Sequence, residues 1–347
     1  MPDEKFMIRP SYYEMYKFGG SSQKDEEHGI KLMQDYFSDY FTEEQLRENM
    51  QRYSLEKMFG LVRHYFQEEY NFSGSNIELH NRYQRSISSY IYNDKSNPAL
   101  LHIDELFEST VMAFFLAVFK WSKDYDDLEI YGKCFRYLLF LMNDVCILGE
   151  MQGEDANREM LGMAAGDVQL IQLAEDCYRT VLIFNLAHEF AHAYLADIGK
   201  VYTDQHPEKE EFDADAIAYH IVLKIIMQEK GDRTILEDYT YLAPMMYMDF
   251  ADLIYYTDRV LYKTVFYDKE HPTLKKRKQR LFTIVNKDEY DFETVMGNHL
   301  YNGFLDVHDE YKDQLLLKME RGKLTKILRT EQREALRRKY NDKESGD

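Results

Sequence analysis

Residues 168–199 read VQLIQLAEDCYRTVLIFNLAHEFAHAYLADIG, and their periodicity decides the fold. Leu170, Leu173, Cys177, Val181, Phe184, Ala187, Ala191 and Tyr194 advance by three or four residues, the step that keeps apolar side chains on one face of an α-helix. Asp167 stands where an N-cap belongs and Gly199 where a helix stops, so the pattern predicts one helix over about 168–197. Within it lies His188-Glu189-Phe190-Ala191-His192, an H-E-x-x-H pattern. On a helix the two histidines lie one turn apart on the same face, so both rings can reach a single ion while Glu189 stands beside it.

A second helix is expected from near Pro207, through EFDADAIAYHIVLKIIMQ, to Gly231; proline suits a first helical turn. It brings Glu211 and, four residues on, Asp215. Catalytic zinc sites use three protein ligands, with two histidines and a glutamate as one common set. Glu211 is the candidate third ligand beside His188 and His192. Asp215 is the candidate hydrogen-bond acceptor for the far nitrogen of a ligand histidine, which fixes its tautomer. Chance produces H-E-x-x-H in roughly a few per cent of chains of this composition, and the added E-x-x-x-D makes coincidence rarer.

The rest of the chain fits a mainly α protein. Its 347 residues include only 6 Pro and 16 Gly, against 29 Tyr and 21 Phe, and 45% are hydrophobic. Few breakers and a sizeable apolar fraction favour long helices around one large core or two intimate ones over a turn-rich β-sandwich. We divide it into a loose N-terminus (1–28), a helical region with one or two short strands (29–165), a metal-site core (166–285) and a helical C-terminal region with a basic tail (286–347). Helices are expected over about 29–40 and 43–70 and again from Asp104, and strands in SISSYIYND (86–94) and ALLHI (99–103). The mixed segment 149–166 reads as an active-site loop or lid.

A net charge of −19 argues against nucleic-acid binding, since an acidic surface repels phosphate. Two basic stretches depart from it, Lys275 to Arg280 and Lys312 to Lys339. Each reads first as a solvated helix face, with docking to an acidic partner or intramolecular pairing as alternatives. Cys134, Cys146 and Cys177 have no metal or redox spacing, as in reduced cytoplasmic proteins. The opening MPDEKFMIRP is too polar for a signal peptide, and VMAFFLAVF (111–119) is too short to span a bilayer.

His188-Glu189-x-x-His192 followed by Glu211-x-x-Ala214-Asp215 resembles the gluzincin metallopeptidases. EFDADAIA (211–218) is similar to the corresponding segment of the HtpX-like and CAAX-prenyl-protease superfamily, and HPTLKKRKQRL (271–281) supplies a His-Pro and an Arg in the order that group often carries. The resemblance implies a zincin-like helical peptidase with one Zn2+ per chain. Glu189 would be general base in the hydrolysis of an internal peptide bond of a protein, and His271 or Arg277 would help hold the oxyanion. The match covers about 180–281; residues 1–150 correspond to nothing in it, and the gap from His192 to Glu211 is short for the membrane members. A Lit-type phage-exclusion peptidase is a further, shorter and soluble form that the chain resembles.

Two other classes compete. Glu189-x-x-His192 is also half of a helical di-iron carboxylate site, but the second E-x-x-H is missing; Asp25/His28 and Asp268/His271 only imitate it. A zincin-like binding protein with a structural ion would be expected to close the fourth metal position with Cys or His, and only Cys177, about three turns earlier, is near. An aminopeptidase is disfavoured because the G-x-M-E-N amine-binding motif is absent.

Overall fold

The protein is described by a computed structural model covering residues 41–52, 55–81, 89–92, 98–103, 107–123, 167–202, 208–230, 239–262, 272–287 and 301–306, with positions 31, 34, 38, 308, 309 and 313. It is mainly helical with one small sheet. In chain order come α1 (Glu43–Arg52), α2 (Leu55–Tyr70), β1 (Ile77–Asn81), β2 (Ser89–Tyr92), β3 (Ala99–Ile103), α3 (Phe107–Lys123), α4 (Val168–Asp197) and α5 (Glu208–Lys230). A 3-10 turn (Tyr239–Leu242) then leads into α6 (Ala243–Tyr262), and α7 is Leu274–Lys287.

The 30-residue α4 is the axis of the molecule, about 45 Å long at the helical rise. Its N-cap is Asp167, whose carboxylate accepts the Leu170 N–H at 3.2 Å. Its end turns at Gly199, where φ is +68° and a side chain would be strained. Both ends therefore fall where the sequence puts them. Leu170, Val181, Leu182, Leu186, Phe190 and Ala191 point to different sides of α4, yet all are buried, because α2, α3, α5, α6, β2 and β3 surround it. A helix buried on every side shows only a weak apolar stripe. On α4 and α5, which pack against each other, Ala187, Ala191, Ala214 and Ala218 are fully buried.

The sheet has the order β1-β3-β2, with β1 parallel and β2 antiparallel to β3. Leu101 at its centre is aligned with Leu79 on one side and Ile91 on the other. The sequence analysis expects β2 and β3 but misses β1, whose IELHN alternates apolar and polar from Ile77 to His80 but offers only two apolar residues as a signal. A parallel partner on β3 makes it a strand. Beyond the sheet, Phe114 of α3 stacks on Phe250 of α6 with centroids 4.3 Å apart.

Several expectations fall outside the described residues: the lid at 149–166, Cys134, Cys146, His271, and the basic tail apart from Asp313.

One close approach ties the sheet side of the fold to the motif helix. Gly74 has φ +52°, and a Cβ there would lie 2.6 Å from Cε1 of Phe190, the residue after Glu189. The Phe190 ring is already held by Phe59 and Phe66, at centroid distances of 5.2 and 5.4 Å. Gly74→Ala should therefore destabilise the protein by about 1–3 kcal/mol, from backbone strain and overpacking together; urea unfolding of the two proteins checks it.

Candidate metal centre and active site

The site forms where the middle of α4 faces the first turns of α5. His188 and His192, one helical turn apart, turn their Nε2 atoms toward each other at 3.1 Å. Glu211 reaches across, with Oε1 3.4 Å from His192 Nε2 and Oε2 3.5 Å from His188 Nε2. These three residues offer ligand atoms that all lie within 4.8 Å of one another, the single such group among the described residues, and they could hold a metal ion. Zinc–ligand bonds of about 2.0–2.2 Å at tetrahedral angles put ligand atoms about 3.3–3.5 Å apart; the two carboxylate contacts fall in that range, each through a different oxygen, and the two Nε2 atoms lie slightly closer, at 3.1 Å.

Both histidines are braced from behind. His188 Nδ1 lies 3.0 Å from Oδ1 of Asp215, a carboxylate with no exposed surface. His192 Nδ1 lies 3.0 Å from Oε1 of Glu210. A carboxylate on each Nδ1 fixes the tautomer that leaves Nε2 as the ligand atom. The sequence locates Asp215; it misses Glu210, and the only signal for it was the doublet Glu210-Glu211 at the start of α5.

Arg277 reaches the site from α7. That helix begins after buried Pro272, with the Thr273 carbonyl accepting the Lys276 and Arg277 N–H groups. Its Nε and Nη2 donate to the two oxygens of Asp215 at 2.8 and 2.6 Å, and Nη1 lies 3.4 Å from Oε2 of Glu211. The two-point grip is the strong form of an arginine–carboxylate pair. Lys278 is also turned inward and donates to Asp249 at 2.5 Å, while Arg280, on the exposed side, lies over the Phe212 ring. Intramolecular pairing thus accounts for Arg277 and Lys278, whereas Lys275, Lys276 and Arg280 are exposed, as the reading of a solvated helix face expects.

Glu189 is buried too, but it is directed elsewhere. Its Oε1 accepts a hydrogen bond from Ser89 Oγ of β2 at 3.0 Å. Ser89 carries no motif, and 100 residues separate it from Glu189, so nothing in the sequence could have found it.

Four carboxylates, Glu189, Glu210, Glu211 and Asp215, converge here with one guanidinium. Burial and the Arg277 charge push the His188 ring down, but the hydrogen bonds it donates to Asp215 and Glu211, with the Asp215 charge, outweigh them and lift its pKa to about 9. Burial would raise Asp215; the charge and hydrogen bonds of Arg277, then His188, hold it below the usual carboxylate range. Burial likewise opposes the charge on Arg277, and Asp215, Glu211 and Glu189 overcome it. A site with this excess of negative charge suits a dication.

The family model Peptidase U49 matches residues 80–296, well over half of the chain, and the chain belongs to that family. Of the resemblances drawn from the sequence, the Lit-type one is the group that this match supports. No curated protein and no solved structure matches the chain. Among the described residues no helix is long and apolar enough to cross a membrane.

The electrostatics set a pH dependence for the metal-free protein. Because the folded pKa of His188 lies above its ordinary 6.5, its stabilising effect is complete below about pH 6.5 and lost as pH rises through about 9. Asp215 acts in the opposite sense, its contribution being present above the ordinary carboxylate pKa and lost as pH falls through its lowered value. In chelator, the melting temperature should fall between about pH 6.5 and 9, and His188→Gln should flatten that slope. A divalent ion must displace the His188 proton, so its affinity should rise about tenfold per pH unit over the same range; titration calorimetry in buffers of different ionisation enthalpy checks the proton release.

Proposed function

We propose that this peptidase is a zinc-dependent endopeptidase, with His188, His192 and Glu211 holding one ion per chain and Glu189 as general base. The carrying observation is the division of labour between neighbours in the chain. His188 turns its Nε2 to the ligand cluster, while Glu189 is bound to Ser89 and takes no part in that cluster. A di-iron site would need Glu189 as a ligand. The open set of two histidines and one glutamate favours catalysis over a closed structural site.

Zinc bound there would polarise the scissile carbonyl and make an attacking water acidic near neutral pH. The chain's own groups do the rest. Glu189 takes a proton from the water as the new C–O bond forms, then delivers it to the amine as the C–N bond breaks. Asp215 and Glu210 keep His188 and His192 in one tautomer each. The resemblance implies Arg277 at the oxyanion, but its contacts support a different role, in which it clamps Asp215 and Glu211. His271, immediately before Pro272, is then our candidate for the oxyanion. The substrate is a protein, and the cysteine pattern supports action in the cytoplasm.

Purified Glu189→Gln should keep one zinc and lose hydrolysis by roughly 10²- to 10⁴-fold. His188→Ala and Glu211→Ala should lose the metal. Asp215→Ala should weaken metal affinity or activity by about 10- to 100-fold. Elemental analysis reads the metal, and comparison of new protein N-termini in cells making wild type or Glu189→Gln reads the cleavage. Metal lost from Glu189→Gln would put the carboxylate on the ion and overturn the general-base assignment.

A further inference from the structure

We propose that Ser89, on the edge strand β2, is the positioning residue that aims Glu189, by a hydrogen bond from its hydroxyl to Oε1. The inference rests on the general-base reading of Glu189 and adds the group that holds the base.

A glutamate side chain has three rotatable bonds, and a base that must meet one proton gains from being held in one orientation. The nearest polar neighbour on α4 is occupied elsewhere. Asn185, one turn before Glu189, donates its Nδ2 to the Val181 carbonyl at 2.9 Å, which leaves its Oδ1 as the end near Ser89, at 3.4 Å. The Ser89 hydroxyl has one hydrogen and two acceptors within reach. The carboxylate is both nearer, at 3.0 Å, and the stronger acceptor.

The hydrogen bond also suits both halves of the reaction. With Ser89 on Oε1, the proton taken from water goes to Oε2, and Oε1 remains an acceptor whether Glu189 is charged or neutral. The aim therefore survives the proton transfer and serves the return of that proton to the amine. The hydroxyl is itself on a firm support, since Ser89 is aligned with Ile103 of the buried strand β3. One side chain thus couples the sheet to the reacting face of α4.

The experiment starts from the bond whose cleavage in cells depends on Glu189; a synthetic peptide spanning it is the substrate. Ser89→Ala should lower kcat by about 10- to 100-fold, the effect of removing a hydrogen bond to a charged group, with KM and zinc content unchanged. Ser89→Thr keeps a hydroxyl on a strand-compatible side chain and should restore kcat to within about threefold. In a Glu189→Gln background, Ser89→Ala should cost nothing further, because the serine acts only through the base. Wild-type kcat in Ser89→Ala, the same fractional loss in both backgrounds, or loss of zinc or stability without rescue by Ser89→Thr would each overturn the proposal. If no cleavage depends on Glu189 at all, the general-base reading falls and takes this inference with it; Glu189-dependent cleavage that ignores Ser89 removes Ser89 alone.

Discussion

A carboxylate with no exposed surface must be neutralised where it stands, and Asp215 imposes that condition on three helices. It sits on α5, it is gripped at two points by Arg277 of α7, and it braces His188 of α4. An unpaired buried charge costs several kcal/mol, so breaking any one contact strands the others. The same pairings that satisfy Asp215 also set the ring of His188 and hold Glu211 beside it. Structural and chemical demands meet in one cluster, and α7, otherwise a peripheral helix, becomes part of the site.

The second support comes from apolar packing. Phe190 lies between Glu189 and His192 in the sequence, but its ring points away from them into Phe59 and Phe66 of α2. Gly74 leaves room for that ring. Of the motif's two undefined positions, the phenylalanine anchors the helix to its aromatic neighbours, and the alanine is fully buried. Rigid placement of α4 on both sides is what keeps the His188 and His192 rings in register with Glu211.

The sheet is small, yet it reaches the chemistry. β2 lies on its edge among the described strands and runs against α4. Through Ser89 it offers a neutral donor to a buried carboxylate. The four converging acids are thus divided among different partners: Glu211 to the Nε2 atoms of both histidines, Asp215 to arginine and imidazole, Glu210 to the other imidazole, and Glu189 to a hydroxyl. That division lets adjacent residues of one helix act separately.

By itself the sequence determined whatever helical period and local chemistry encode. It set α4 from its Asp167 cap to Gly199, put His188 and His192 on one face, and placed Glu211 and Asp215 one turn apart on the next helix, because each of these follows from a fixed repeat of about 3.6 residues. Strand β2 was legible from its mix of β-branched and aromatic residues and β3 as an apolar run after Pro98, whereas β1, with two apolar residues, needed a partner to be a strand. Only the tertiary structure decided which carboxylate braces which ring, that Glu210 joins the set, that Arg277 faces Asp215, and that Ser89 meets Glu189. Those contacts join residues up to 100 positions apart, and their pairing depends on how the helices and sheet pack, which no local pattern records.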